Sequence, residues 1–316
     1  MKRSIQRNFI IHSFALIILL LVSCKEENKE PSKEKVEKKD QAIEIITERM
    51  DFQTVDSIPS GWTTFKYINI SDEPHFFLLD KYPEGRTIED GEHEIIPVFQ
   101  KGMDLINVGK SEEGFAEFGK LPEWFSEIVF TGGSGLISPK GSSLITVKME
   151  PGYYVMECYV KMANGKFHSS MGMAKEFIVT SNKNNNKAPE SDIKITLSST
   201  KGFVFDKPIP KGKHTFSVHF EDQIVHENFV GHDLNLVKLE DGVDLETLES
   251  WMNWANPKGL INPAPEGVTF LGGINEMPAG STAYFHINLK PGKYAFVSEV
   301  PNTISKNMLV PFEVPQ

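Results

Sequence analysis

The sequence is poor in cysteine and lacks several catalytic motifs. Cys24 and Cys158 are its only cysteines among 316 residues, so a disulfide framework and paired Cys-x-x-Cys zinc motifs are excluded. It has no Gly-x-Ser-x-Gly, no Walker phosphate loop and no His-x-His. With a formal net charge of −10, nucleic acid is not an expected partner. Hydrolase and phosphate-loop chemistry are therefore disfavoured, as is nucleic-acid binding.

A long hydrophobic run is also missing. The apolar stretch from Phe9 to Val22 is interrupted by His12 and Ser13. It is shorter than the roughly 20 residues that a membrane-spanning helix needs. Basic residues precede it, and this order is typical of a secretory signal peptide. Residues 1–23 are therefore predicted to be a signal peptide.

The signal peptide ends in a short motif of its own. The residues Leu21-Val22-Ser23-Cys24 resemble the lipobox of bacterial lipoproteins, which implies cleavage before Cys24 and lipidation of that cysteine. Residues 24–42 are rich in Lys and Glu and contain no aromatic residue, so they are predicted to be a charged tether. We expect a lipid-anchored protein of the bacterial cell envelope, on the periplasmic side or the cell surface, with the membrane as a partner.

The remaining chain has the pattern of β-structure and contains an internal repeat. Short apolar or alternating runs are separated by Pro-Gly, Asn-Gly and Gly-Gly turns. The segment from Phe130 to Cys158 matches the equally long segment from Phe270 to Ser298. Flanking pairs match as well, with His75 equivalent to His232 and Met173 to Met308. One unit has been duplicated.

The repeat predicts two domains joined by a polar connector. We place them at 43–181 and 192–316, with a linker at 182–191. Each copy contains an insertion between its His strand and its Gly-Gly turn. In the second copy, the stripe of apolar residues between Asp244 and Trp254 predicts a helix that packs on the core.

Three motifs of the first half resemble those of cupredoxins, the blue-copper Greek-key sandwiches. "NISDEPHFFLLD" resembles the segment in which Pro-His precedes a strand, and "GSSLITVKMEPGYYVMEC" resembles the strand, turn and strand that end on the ligand cysteine. "HSSMGMAKEFIV" resembles the His and axial Met that precede the closing strand. The resemblance implies an all-β fold of two cupredoxin-like β-sandwiches. It also implies a type 1 copper site formed by His75, Cys158, His168 and Met173.

Coordination chemistry fits this set. Two imidazoles and a thiolate in a plane, with a weak axial thioether, hold copper in both of its redox states. Bound copper would also protect Cys158 from oxidation, because this residue is a lone thiol in an oxidising compartment.

A second prediction for the loop between Cys158 and Met173 remains open. Asn164-Gly165 is a strong two-residue hairpin signal, and a regular hairpin there would pair Cys158 with Met171. His168 would then point to the opposite face, and Met171 would replace Met173 as the neighbour of Cys158. The trigonal site would then lack an imidazole. As separate alternatives, Cys158 is a buried structural cysteine and His75 simply begins an apolar strand.

The second half departs from the metal-binding pattern. Ser298 stands where Cys158 stands, and Thr303 occupies the place of His168. A serine hydroxyl does not replace a soft thiolate at copper. His232 and Met308 remain, so no type 1 copper is expected there.

These patterns predict a membrane-tethered, copper-binding one-electron carrier that has a redox protein partner and is not an enzyme. Two alternatives stay open. One is a metal-free tandem sandwich that serves as a binding or scaffolding module. The other is a Cu(I) storage or delivery protein that uses Met162, Met171 and Met173 together with Cys158.

Overall fold

The computed structural model describes residues 42–316. The predicted signal peptide, Cys24 and the tether up to residue 41 lie outside the described residues. Within 42–316, no helix has both the length and the apolar character needed to cross a membrane.

Fifteen strands and four α-helices make up the described chain. The first half contains β1 Ile43–Thr47, β2 Ser57–Asn69, β3 His75–Lys81, α1 Ile88–Glu94, α2 Ile96–Asn107, α3 Ser111–Phe118, β4 Val129–Ile137, β5 Ser142–Met149, β6 Gly152–Glu157 and β7 Ala174–Lys183. The second contains β8 Ile193–Ser198, β9 Gly202–Phe205, β10 Gly212–Phe220, β11 Leu234–Leu239, α4 Leu245–Met252, β12 Val268–Ile274, β13 Thr282–Leu289, β14 Gly292–Val297 and β15 Leu309–Val314. Short 3₁₀ helices lie at Glu123–Glu127, Ser169–Met171 and Glu227–Phe229.

Alternation of apolar and polar side chains explains the strands. In β2, Phe65 and Tyr67 are buried whereas Lys66 between them is exposed. Successive side chains of a strand point to opposite faces, so this pattern places one face on the core and the other in solvent. β3 is different because nearly all of it is buried; its Leu78 and Asp80 line a cavity together with Ile96 and Phe99 of α2.

The main strand pairings of the first half recur in the second half, as the sequence repeat predicts. In the first half β1 and β2 are parallel, and antiparallel pairs join β2 to β5, β3 to β4 and β6, and β6 to β7. The second half repeats these pairings with β8, β10, β13, β11, β12, β14 and β15 in the equivalent places. The predicted fold class, an all-β sandwich with short helical insertions, is confirmed.

Equivalent strands join the halves. β4 pairs with β12, and β5 pairs with β13 through partners such as Ile145 and Phe285. Both layers of the sandwich are therefore continuous from one half to the other, and the described residues belong to one compact unit. The domain boundary at 182–191 stays a prediction.

The insertions lie at equivalent positions, between β3 and β4 and between β11 and β12. The predicted helix of the second half is α4. Asp244 caps it by accepting a hydrogen bond from the Glu246 backbone, and Leu248, Trp251 and Met252 are buried. The stripe is core packing, as its spacing indicated.

Candidate metal centre

Two adjacent strands bring the first histidine to the cysteine. His75 is the first residue of β3, and Cys158 directly follows the end of β6. The two strands are antiparallel, with Leu78 opposite Glu157. The start of one strand therefore lies beside the end of the other.

The ligand loop between Cys158 and Met173 begins as a hairpin and then breaks. Lys161 forms a bridge with Phe167 across the Asn164-Gly165 turn. After His168 the chain turns through the 3₁₀ helix Ser169–Met171, which ends at Gly172 with a left-handed φ of 94°. The regular hairpin, with Cys158 opposite Met171, is not formed.

The break changes which methionine adjoins the cysteine. The Cys158 backbone N–H donates to the Met173 carbonyl at 3.3 Å, and the Met173 N–H donates to the His168 carbonyl at 3.0 Å. Met173 is fully buried, whereas Met171 is 50% exposed. Met173 is thus the methionine next to the cluster, and its role as axial ligand stays a prediction.

The structure brings His75, Cys158 and His168 together in a buried cluster. Cys158 Sγ lies 3.7 Å from Nδ1 of His75 and 3.7 Å from Nδ1 of His168. The two Nδ1 atoms are 3.1 Å apart. A point equidistant from the three atoms lies about 2 Å from each, close to the length of a metal–nitrogen or metal–sulfur bond. The residues therefore fit a single metal ion in trigonal coordination.

Burial sets the protonation states of this cluster. It lowers the pKa of His75 to about 4 and that of His168 to about 3, so both imidazoles are neutral at pH 7 and can offer a lone pair. Burial also raises the pKa of the Cys158 thiol to about 12. A thiolate at this position needs a nearby cation, which a bound metal ion would supply.

A carboxylate lies behind His168. Nε2 of His168 is 3.1 Å from Oε2 of Glu73, although neither atom makes a well-aligned hydrogen bond. The other oxygen of Glu73 accepts from Asn262 of the second half at 3.4 Å. An imidazole that binds metal through Nδ1 carries its proton on Nε2, so Glu73 is placed to orient the His168 ring. Glu73 belongs to none of the motifs that mark the other members of the cluster in the sequence.

The second half repeats the backbone of the site with different side chains. Ser298 N–H donates to the Met308 carbonyl at 2.9 Å, and Met308 N–H donates to Thr303 at 2.8 Å, as in the first half. The Ser298 hydroxyl donates to the Asp233 carboxylate at 2.5 Å. His232 lies 2.8 Å from His226, measured between their Nε2 atoms. Sequence spacing gave no sign of this pair of histidines.

Comparison with known proteins finds similarity in structure but not in sequence families. No protein-family model matches the chain, and no curated protein matches it. Similar solved structures include the auracyanin of Roseiflexus castenholzii, at 21% identity over 43% of this chain and 94% of that chain, with a TM-score of 0.25. Auracyanin A of Chloroflexus aurantiacus, a "blue" copper protein, is 18% identical over 44% of this chain and 98% of that chain, with a TM-score of 0.27.

Copper enzymes are also among the similar structures. The copper-containing nitrite reductase of Thermus scotoductus is 11% identical over 87% of this chain and 61% of that chain, with a TM-score of 0.21. The similar structures include oxidases and a reductase besides the auracyanins, so they do not decide between an enzyme and a carrier.

Proposed function

We propose that the first half binds one copper ion in a type 1 site and that the protein is a one-electron carrier. The observation that carries the proposal is the buried triangle formed by Cys158 Sγ and the Nδ1 atoms of His75 and His168. One thiolate and two imidazoles are the donor set of blue-copper sites, where copper supplies the change between its two redox states.

The surroundings of the cluster suit a carrier. His75, Cys158 and His168 are all fully buried and attached to strands or to a tightly hydrogen-bonded loop. Such packing keeps water out and holds the donors in place, so the geometry changes little between oxidation states. Within residues 42–316 we find no second group of three His, Cys, Asp or Glu side chains at ligand distance.

The metal-free alternative has a specific observation in its favour. The second half keeps the fold although Ser298 and Thr303 occupy the two ligand positions. A sandwich of this type therefore does not need copper to form. The Cu(I) storage alternative is weaker because Met171 lies half exposed, outside the buried cluster.

Copper titration tests the proposal. Adding Cu(II) to the lipid-free protein should produce an intense visible band at one copper per chain, because a short copper–sulfur bond mixes sulfur and metal orbitals. Met173→Leu should keep the colour and raise the reduction potential, since an axial thioether binds weakly. Met171→Leu is the matched control and should leave both unchanged. A colourless protein that retains no copper would favour the metal-free binding module.

We further propose that lipid on Cys24 holds the protein at a membrane, where it meets a redox protein partner. The support is the lipobox-like sequence before Cys24 and the charged tether after it. Cys24→Ala should abolish palmitate labelling and move the protein from the membrane to the soluble fraction, because acyl chains supply the anchoring energy. Cys158→Ser is the matched control and should keep the label. Persistent labelling of Cys24→Ala would contradict the anchor.

A further inference from the structure

The second half contains a pair of histidines in a loop that is longer than its counterpart in the first half. His226 lies between β10 and β11, and His232 lies shortly before β11. Asn69 and Phe220 are the equivalent last residues of β2 and β10, because these strands pair in equivalent registers with β5 and β13. His75 follows Asn69 by six positions, whereas His232 follows Phe220 by twelve, so the second loop is six residues longer. His226 belongs to this longer loop.

The rings of His226 and His232 face each other through their Nε2 atoms, which are 2.8 Å apart. Burial lowers the pKa of His232 to about 4 and also lowers the pKa of His226, so both imidazoles are neutral at pH 7. At this distance only one of the two facing nitrogens carries a proton, which the metal-free protein shares in a hydrogen bond. A metal ion that replaces this proton meets a lone pair from each ring.

The spacing of the two Nε2 atoms indicates the geometry of the metal. Two metal–imidazole bonds of about 2.0 Å that end on nitrogens 2.8 Å apart enclose an angle of about 90°. Adjacent ligands of a tetragonal Cu(II) ion stand at about this angle. Tetrahedral Zn²⁺ would instead hold the two nitrogens about 3.3 Å apart. The pair therefore suits Cu(II) better than Zn²⁺.

A carboxylate lies behind the ring of His232. This histidine is fully buried, its Nδ1 makes no hydrogen bond, and Oδ1 of Asp222 lies 3.7 Å from that atom. Ser199 fixes the carboxylate by donating its backbone N–H and its hydroxyl. An imidazole that binds metal through Nε2 carries its proton on Nδ1, where Asp222 is placed to orient the ring. A cation also lies near the pair, but the Lys306 ammonium is 2.8 Å from the carboxylate of Glu227, which offsets its charge.

We infer that His226 and His232 bind a second copper ion, as Cu(II) in tetragonal coordination. Imidazole nitrogens and water oxygens are suitable ligands for Cu(II) in this geometry. Among the described residues no further His, Cys, Asp or Glu completes a group of three around this pair, so water fills the other positions. His226 is partly exposed, which gives water access. The pair shares no residue with the type 1 site, and the inference goes beyond the proposed electron carrier.

Equilibrium dialysis against Cu(II) tests the inference. The wild-type chain should bind two copper ions and Cys158→Ser should retain one, because that substitution disrupts the type 1 site alone. Electron paramagnetic resonance of Cys158→Ser should show tetragonal copper with nitrogen ligands, and the variant should lack an intense visible band. Zn²⁺ should bind to it at least about tenfold more weakly than Cu(II), as the Irving–Williams order and the spacing both require. Zn²⁺ bound as tightly as Cu(II) would overturn the assignment to copper.

Three further substitutions in the Cys158→Ser chain decide which residues hold the ion. His226→Gln should lower the copper affinity by more than about 100-fold because it removes one of two protein ligands, and Asp222→Asn should lower it about ten- to hundredfold, the loss typical of a carboxylate behind a metal-binding histidine. His93→Gln replaces an exposed histidine of α1 and should leave the affinity unchanged. Thermal unfolding verifies that all three variants fold. No copper on Cys158→Ser, or unaltered affinity in His226→Gln, would overturn the inference, whereas a colourless wild-type chain that binds one copper ion at this pair would refute only the type 1 site.

Discussion

Replacing Cys158 with serine is expected to remove the visible copper band completely and to weaken copper binding by more than about 100-fold, since changes in residues behind metal ligands alone cost up to that factor. Cys158 supplies the single sulfur of the cluster, 3.7 Å from both imidazole nitrogens. A serine hydroxyl is a harder donor and stays protonated at neutral pH. Absorbance and equilibrium dialysis of the copper-treated variant measure the two effects.

The second half supplies the control. Ser298→Cys introduces a thiol at the equivalent position, but Thr303 stands where the first half has His168. That variant should keep the wild-type band of the first half and gain no second one. Thermal unfolding of the metal-free forms verifies that both variants fold, and Ser298→Cys should unfold at a lower temperature than the wild type because it loses the hydroxyl that donates to the buried Asp233 carboxylate. An undiminished band in Cys158→Ser would rule out the thiolate as a copper ligand.

The cluster could be foreseen in large part because its members stand at the ends of strands. Pro74-His75 begins a buried strand, and Cys158 ends the strand after a Pro-Gly turn. Strand periodicity and turn residues are local signals, so the sequence contains them directly. The repeat supports these local signals, since the same order of strands and turns recurs around His232 and Ser298.

The path of the ligand loop could not be foreseen in the same way. Asn164-Gly165 indicates a regular two-residue hairpin with Lys161 opposite His168, but the structure pairs Lys161 with Phe167, one residue out of that register. The left-handed Gly172 and the turn before it then redirect the chain, so that Met173 adjoins Cys158. Contacts with residues about 100 positions away contribute, because Lys161 N–H donates to the Leu260 carbonyl at 2.6 Å. Local propensity does not encode such pairing.

The contacts between the two halves could not be predicted from the sequence either. The burial patterns of β4, β5, β12 and β13 show which side chains face the core, but they do not reveal which of these strands meet across the repeat. Lysine is almost never fully buried, and nothing in the local sequence marks Lys161 as an exception. The structure explains its burial, because its side chain donates to the carbonyls of Trp254 and Asn256 in the second half.

Lys161→Met is therefore expected to lower the free energy of unfolding by about 3 kcal/mol or more, because buried acceptors left without a donor cost about 1–3 kcal/mol each. The Lys161 ammonium is fully buried and donates to the carbonyls of Trp254 at 2.8 Å and Asn256 at 2.7 Å. Methionine has similar length and shape but no donor, so the variant removes the hydrogen bonds and keeps most of the packing. Denaturant unfolding of the metal-free protein measures the loss.

The neighbouring Lys166→Met is the matched control. Lys166 lies in the same loop with an exposed side chain, so its replacement should change the unfolding free energy by less than about 0.5 kcal/mol. Lys161 also connects the ligand loop to the second half, through backbone bonds with Leu260 and Asn262. Lys161→Met keeps these backbone bonds but loses the side-chain bonds that also hold the loop to the second half, so it should weaken copper binding, whereas Lys166→Met should not. Equal stability of the two variants would mean that the ammonium does not hold the halves together.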